Sequence, residues 1–334
     1  MATVMDEIVA AIRTRYGVRV EEAVPVRRGY LNEKWIVRTN QGAWFAKCYS
    51  LQRYQHQMDT IWQEIETALR LQMTYFDVGG ACPRVYENEH GGLLHETADG
   101  RKFVLMTCCA GGNMPAGQVS ERQMYTLGVA AAGMHRVWNG GDGLAAVAAA
   151  PGASPLWSAD VNDIREQWQK RWDECKTTSA DIREALLLQK DVFDRFAPAG
   201  MATMAACPPG WTHLDLWTEN LLFEPGRLSA IVDFDRVRWS YPRLDLGRAV
   251  LSCTLRDGEF RRETIAAFAE GYRTVQPLPA NALLHAVQHS WLIESCWWIR
   301  PAAASWSTAP RRFRDEMLWT AAMWDRLETL LGGI

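Results

Sequence analysis

The residues best able to do chemistry lie close together in the chain. His213, Asp215 and Asn220 have the spacing H-x-D-x-x-x-x-N, and Asp233 follows thirteen residues later within Ala230-Ile231-Val232-Asp233-Phe234-Asp235. Phosphoryl transfer asks for this set. One carboxylate orients the attacking hydroxyl, while a second carboxylate and an amide oxygen hold Mg²⁺ against the phosphates. Taken singly, Asp and Asn are ordinary turn and cap residues. The chemistry is carried by their combination with the apolar runs Leu221–Phe223 and Leu228–Val232, which flank the turn Glu224–Arg227 and read as a hairpin. That hairpin would fold Asp233 back beside the loop holding Asp215 and Asn220. His213 reads as a buried hydrogen-bonding scaffold, not a base.

The elements needed to position this loop follow from pattern. Residues 1–17 read as a helix, and Val24–Arg28, Trp35–Thr39 and Trp44–Tyr49 as extended runs, the last two joined at Asn40-Gln41-Gly42. Gln55–Met73 has helical period, and strands are expected near Arg84–Glu87 and at Lys102–Met106. Beyond Thr107–Gly112 the pattern is mainly helical: Glu121–Val137, Ser158–Asp173, Ala180–Phe196, and from Asp245 onward. A loop is expected over Gly140–Pro155. The division is a nucleotide-binding lobe at 1–106, a hinge at 107–111 and a catalytic, acceptor-binding lobe at 112–334.

This order and these motifs resemble the aminoglycoside phosphotransferase and choline kinase branch of the protein-kinase-like superfamily, with similarity also to bacterial spore-coat-type kinases. The resemblance rests on His213–Asn220, Ile231-Asp233-Phe234 and matches along nearly the whole chain. It departs from the usual H-G-D at Leu214, where the family has glycine. The implied fold is α+β and bilobal, with a small antiparallel sheet and one helix in the N-lobe and a larger, mainly helical C-lobe. Gly29-Tyr30-Leu31-Asn32 resembles the phosphate loop, Lys47 the strand lysine that grips phosphates, and Glu64 its glutamate partner, with Glu66 as rival. Thr107 and Cys109 resemble the hinge groups that meet adenine through their backbone. Asp245 resembles a later buried structural aspartate. The implied activity is a kinase using ATP or GTP with Mg²⁺, with Asp215 catalytic and Asn220 and Asp233 as metal ligands.

The acceptor is less legible. Asp235, Glu294, Trp297 and Trp298 are candidates, with His289, Arg300, Asp315 and Glu316 on the same C-terminal segments. Aromatic faces beside carboxylates suit an ammonium-bearing ligand. The leading reading is a small-molecule hydroxyl kinase acting on an amino alcohol, an aminoglycoside or another antibiotic. The alternatives are a Ser/Thr protein kinase of spore-coat type and an inactive kinase-like scaffold. The intact Lys47, Asp215, Asn220 and Asp233 argue against the scaffold.

A net charge of −3 gives no field that calls for nucleic acid or an anionic membrane. No secretory leader or membrane span is apparent, and the eight cysteines form no CxxC pair, so a cytoplasmic monomer or weak dimer with reduced thiols is expected.

Overall fold

Thr3 and Asp6 close a capping box on the first helix, α1 (Val4–Tyr16), and Gly17, in the left-handed region, ends it. The chain then enters three antiparallel strands: β1 (Val20–Pro25), β2 (Glu33–Thr39) and β3 (Gly42–Cys48). Gly42 takes φ +110° at the expected tight turn between β2 and β3. The computed structural model describes residues 3–27, 32–50, 58–140, 153–158, 160–175, 177, 179–299 and 308–334. Gly29, Arg300 and most of the expected loop over Gly140–Pro155 lie outside them.

Helix α2 (Met58–Asp77) leads to β4 (His95–Glu96) and β5 (Lys102–Thr107), and the sheet order is β1-β2-β3-β5-β4. The strand expected near Arg84 is reduced to a single bridge between Val85 and Met106. Alternation along β3 divides its side chains between two faces. Trp44, Ala46 and Cys48 pack with Ile8 and Ile12 of α1, whereas Phe45 and Tyr49 pack with Ile61 and Ile65 of α2. Lys47 shares the second face and is only 3% exposed.

The rest is mainly helical: α3 (Glu121–Asn139), α4 (Val161–Cys175), α5 (Ala180–Ala205), α6 (Arg243–Thr254), α7 (Arg262–Arg273), α8 (Ala282–Glu294), α9 (Thr308–Ala322) and α10 (Leu327–Leu331). Short strands interrupt it: β6 (Gly210–Thr212) pairs with β9 (Arg238–Ser240), β7 (Leu221–Glu224) with β8 (Arg227–Ile231), and β10 (Leu255–Arg256) with β11 (Glu259–Phe260). A small antiparallel sheet followed by a larger helical body is the bilobal α+β protein-kinase-like fold. Helix α5 does not stop at Phe196 but runs through Pro198, because Ala197, Met201 and Met204 continue the buried face begun by Val192 and Phe193. On the linker, Gly111 adopts φ +92°, and a Cβ there would lie 2.6 Å from the Phe223 carbonyl. Gly112 exchanges backbone hydrogen bonds with Phe223 in both directions. The linker is thus fastened to the β7–β8 hairpin.

Helices α3 and α7 cross closely enough that only glycine fits at the contact. A Cβ on Gly128 would sit 2.1 Å from the Phe268 carbonyl, and one on Gly271 2.0 Å from the Tyr125 carbonyl. Gly128→Ala should therefore lower unfolding free energy by about 1–3 kcal/mol, the usual cost of overpacking, read from urea denaturation. An unchanged midpoint would mean that the helices can separate freely.

Candidate active site

Asp245, fully buried near the start of α6, organises the loop between β6 and β7. One carboxylate oxygen accepts from the Leu214 amide at 2.7 Å; the other accepts from the His213 amide at 2.8 Å and meets His135 Nε2 at 3.0 Å. His135 Nδ1 in turn lies 3.1 Å from the Tyr272 hydroxyl. This grip holds Leu214 at φ +66°, a left-handed conformation that costs a β- or γ-branched side chain about 1–3 kcal/mol. Leucine thus adopts the backbone conformation that glycine takes without strain. His213 is buried against Phe234, with ring centroids 4.7 Å apart, and burial pushes its pKa down to about 4. It is a neutral scaffold residue whose Nδ1 accepts from the Asp215 amide.

Asp215 is almost wholly buried, and its Oδ1 makes no hydrogen bond among the described residues. The nearest cation is Arg236, 3.4 Å away. Burial raises the Asp215 pKa to about 7 against the pull of that guanidinium. Asn220 donates from Nδ2 to the Asp215 carbonyl at 3.0 Å, which fixes the amide and leaves Oδ1 without a protein partner among the described residues. Asp233 lies two residues past the end of β8, at φ +66°. Its Oδ1 meets Lys47 Nζ at 2.6 Å, and its Oδ2 has no partner among the described residues. Burial opposes ionisation of Asp233, but Lys47 and Lys34 hold its pKa well below the carboxylate range. Two free hard oxygens, from Asn220 and Asp233, suit Mg²⁺, which binds few protein groups and keeps water and phosphate oxygens as its other ligands.

The expected Lys47–Glu64 pair is not formed. Lys47 is held instead by Asp233 and by Asp235 Oδ2 at 2.5 Å, while Glu64 pairs with Arg238 at 2.5 Å. Two carboxylates already saturate the buried ammonium, and Glu64, nearly half exposed, finds a closer cation. The rival Glu66 accepts from the Leu93 and Leu94 amides and pairs with Arg70. Asp235 does not face an acceptor: its other oxygen accepts from the Tyr49 hydroxyl at 2.9 Å. Asn32 accepts from the Ser50 amide. Thr107 exchanges bonds with Arg84, and the Cys109 amide is unbonded among the described residues.

Beside Asp215 opens a narrow pocket. Its walls include Trp157, Trp217, Trp297 and Trp298, together with Glu294, Arg236 and Arg248. Glu294 gives Oε2 to Arg248 and to the Trp298 indole, at 2.9 and 3.0 Å, and its Oε1 has no partner among the described residues. Of the other acceptor candidates, His289 bonds Thr203 of α5, Asp315 is an exposed partner of Arg314, and Glu316 is buried against Arg248. Arg236, Arg248 and Tyr49 were missed because nothing in their local sequence says which carboxylate each meets. The one available signal was Arg236 standing three residues after Asp233.

A two-part fold with a buried lysine, two carboxylates and an asparagine converging on one cleft defines the protein-kinase-like phosphotransferases. The chain belongs to the phosphotransferase enzyme family (APH), whose model matches residues 22–278. A homoserine kinase from Gluconobacter oxydans is 23% identical over 254 residues, 76% of this chain and 73% of that protein. An aminoglycoside phosphotransferase from Alicyclobacillus acidocaldarius superposes with TM-score 0.60 at 16% identity, covering 99% of this chain and 95% of its own. The amicoumacin kinase hAmiN, solved with AMP-PNP, Ca²⁺ and Ami, gives 0.61 at 11% identity, covering 93% and 90%. The chain is a kinase with a hydroxyl acceptor. No helix among the described residues is long and apolar enough to cross a membrane.

Two outcomes follow from this framework. Asp245→Asn places an NH₂ group against backbone donors and should cost about 2–3 kcal/mol of stability together with activity, given the penalty of unsatisfied buried polar groups; wild-type stability and turnover would refute the bracing role. For His289, burial pushes the pKa down to about 3, against 6.5 when unfolded. The unfolded chain then binds the proton first, so stability is full above 6.5 and falls as pH drops towards 3. Relative to wild type, His289→Gln should gain stability between about pH 7 and pH 4, seen as converging or crossing denaturation midpoints; parallel midpoints would refute it.

Proposed function

We propose that the chain transfers the γ-phosphoryl group of Mg–ATP to a hydroxyl of a small, amine-bearing molecule such as an amino alcohol, an aminoglycoside or another hydroxylated antibiotic. The observation that carries this reading is Asp215, whose buried Oδ1 has no hydrogen bond among the described residues and meets Arg236 at 3.4 Å, and which lines a pocket shared with Glu294 and four tryptophans. An acceptor hydroxyl would donate to Asp215, and an ammonium would find Glu294 and aromatic faces within the same small space.

Lys47 would steady the phosphates, exchanging Asp233 for phosphate oxygens. Asn220 and Asp233 would hold Mg²⁺, which when bound neutralises charge on the phosphate oxygens. The acceptor oxygen forms its bond to the γ-phosphorus as the bond to the β-phosphate oxygen breaks. The hydroxyl proton passes to Asp215 and ADP leaves. Alignment and charge stabilisation supply most of the acceleration in such a loose transition state. The aromatic walls and the Glu294 carboxylate favour an ammonium-bearing small molecule over a protein serine or threonine. The Cys109 amide, unbonded among the described residues, would meet a purine of ATP or GTP alike.

A nucleotide-consumption screen with ATP and GTP, across amino alcohols including homoserine, aminoglycosides, other hydroxylated antibiotics and Ser/Thr proteins, tests the reading directly. With a true acceptor, Asp215→Asn should lower turnover by about 100-fold or more while Mg–nucleotide binding persists. Asp233→Asn should instead weaken Mg–nucleotide binding itself. Full activity of Asp215→Asn would sink the assignment. Turnover on proteins alone would favour the protein-kinase alternative. Nucleotide binding with no turnover on any acceptor, unaltered by either substitution, would favour a scaffold.

A further inference from the structure

A chain of alternating charges runs from the acceptor pocket to the turn that carries Asn220. Glu294 Oε2 meets Arg248 Nη2 at 2.9 Å, and Arg248 Nη1 meets Glu316 Oε2 at 2.6 Å. Glu316 Oε1 takes Arg312 Nε at 3.1 Å, and the Arg312 fork grips both oxygens of Glu219 at 2.6 and 2.9 Å. Glu219 directly precedes Asn220 in the short 3-10 turn Thr218–Asn220. Arg312 also lies 3.5 Å from the Ser252 hydroxyl, which accepts from the Thr218 amide. The next residue on α9, Phe313, stacks on Trp217 at 4.3 Å and packs on Trp298 at 4.9 Å. One turn of α9 therefore touches both the catalytic loop and the acceptor wall.

We infer that Arg312 is a positioning residue for the metal-binding turn, acting through Glu219, and that the charge chain makes this turn and the acceptor wall one unit. The inference rests on the proposed Mg–nucleotide chemistry. A bidentate guanidinium–carboxylate pair fixes direction as well as distance. Groups that orient a ligand-bearing residue commonly govern metal affinity by about 10-fold or more. Lysine, a point charge without a fork, cannot replace both contacts.

The test uses the full chain and AMP-PNP, followed by calorimetry across a Mg²⁺ titration well below the melting temperature. Arg312→Met and Glu219→Gln should each raise the Mg²⁺ concentration for half-maximal AMP-PNP affinity by about 10-fold. Arg312→Lys should fall between them and wild type. The double variant Arg312→Met with Glu219→Gln should be no worse than Arg312→Met alone, because the Arg312–Glu219 contact is already lost in the single variant. Arg314→Met, on the same helix but paired among the described residues with exposed Asp315, should match wild type. Unchanged Mg²⁺ midpoints alongside lowered melting temperatures would reduce Arg312 to a structural role and overturn the inference. Glu219 is nearly half exposed, so its variant keeps the test available if Arg312→Met fails to fold. Failure of the wild-type chain to bind AMP-PNP with Mg²⁺ would overturn the functional reading itself, a result distinct from equal binding by all variants.

Discussion

A single buried ammonium joins the two halves of the molecule. Lys47 comes from the sheet, and Asp233 and Asp235 come from the end of the hairpin in the helical part. Burial disfavours the charge on Lys47, yet the two carboxylates hold its pKa well above the ordinary lysine value. Removing either partner type would leave an uncompensated buried charge, so the arrangement enforces alignment of the sheet with the hairpin. Everything the site needs is referred to this point. Asn220 sits at the start of the same hairpin, and the Val232 amide bonds back to the Asn220 carbonyl. The Tyr49 ring lies beside the Lys47 ammonium, 5.3 Å from Nζ to centroid, while its hydroxyl holds Asp235.

Asp245 plays the complementary part on the other side of the loop. Its two oxygens satisfy consecutive amides that no strand or helix would pair, and this offsets the left-handed backbone at Leu214. Asp233 is strained in the same sense. Leu214 and Asp233 lie on either side of Asp215 and Asn220 in the chain, whereas the other left-handed non-glycine residues among those described, Asp257 and Asn281, sit at a hairpin turn and a helix start. The family's glycine would meet the backbone demand without strain. Leucine at this position instead packs against the core and lines the pocket.

The sequence exposes contacts that are local and hides those made by distant charges. His213, Asp215, Asn220 and Asp233 could be read because their spacing and the hairpin between them lie within one short segment. The sheet and most helices could be read because alternation and helical period survive in β2, β3, α2 and α3. The partner of Lys47 could not. Glu64, Glu66, Asp233 and Asp235 are all carboxylates, and only packing decides that Glu64 meets Arg238 and Glu66 caps the amides of Leu93 and Leu94. The same limit conceals Arg236 beside Asp215 and the placement of His289 against Thr203. The helix expected over Ala180–Phe196 runs on to Ala205 through Pro198, because a local breaker is overridden when the face on both sides of it is buried.

The paired amides and carbonyls of Gly112 and Phe223 have a mechanical meaning. They weld the far end of the linker to the hairpin, while the near end is anchored where the Cys108 amide bonds the Ala43 carbonyl of β3. Only the few residues between these anchors remain to bend. The same seam is closed elsewhere by the Trp138 indole donating to the Leu71 carbonyl, the Tyr75 hydroxyl to the Ala130 carbonyl and the Ile231 amide to the Ala81 carbonyl. Lys47, whose ammonium is tied to Asp233 and Asp235 of the helical part, closes the other end of that seam.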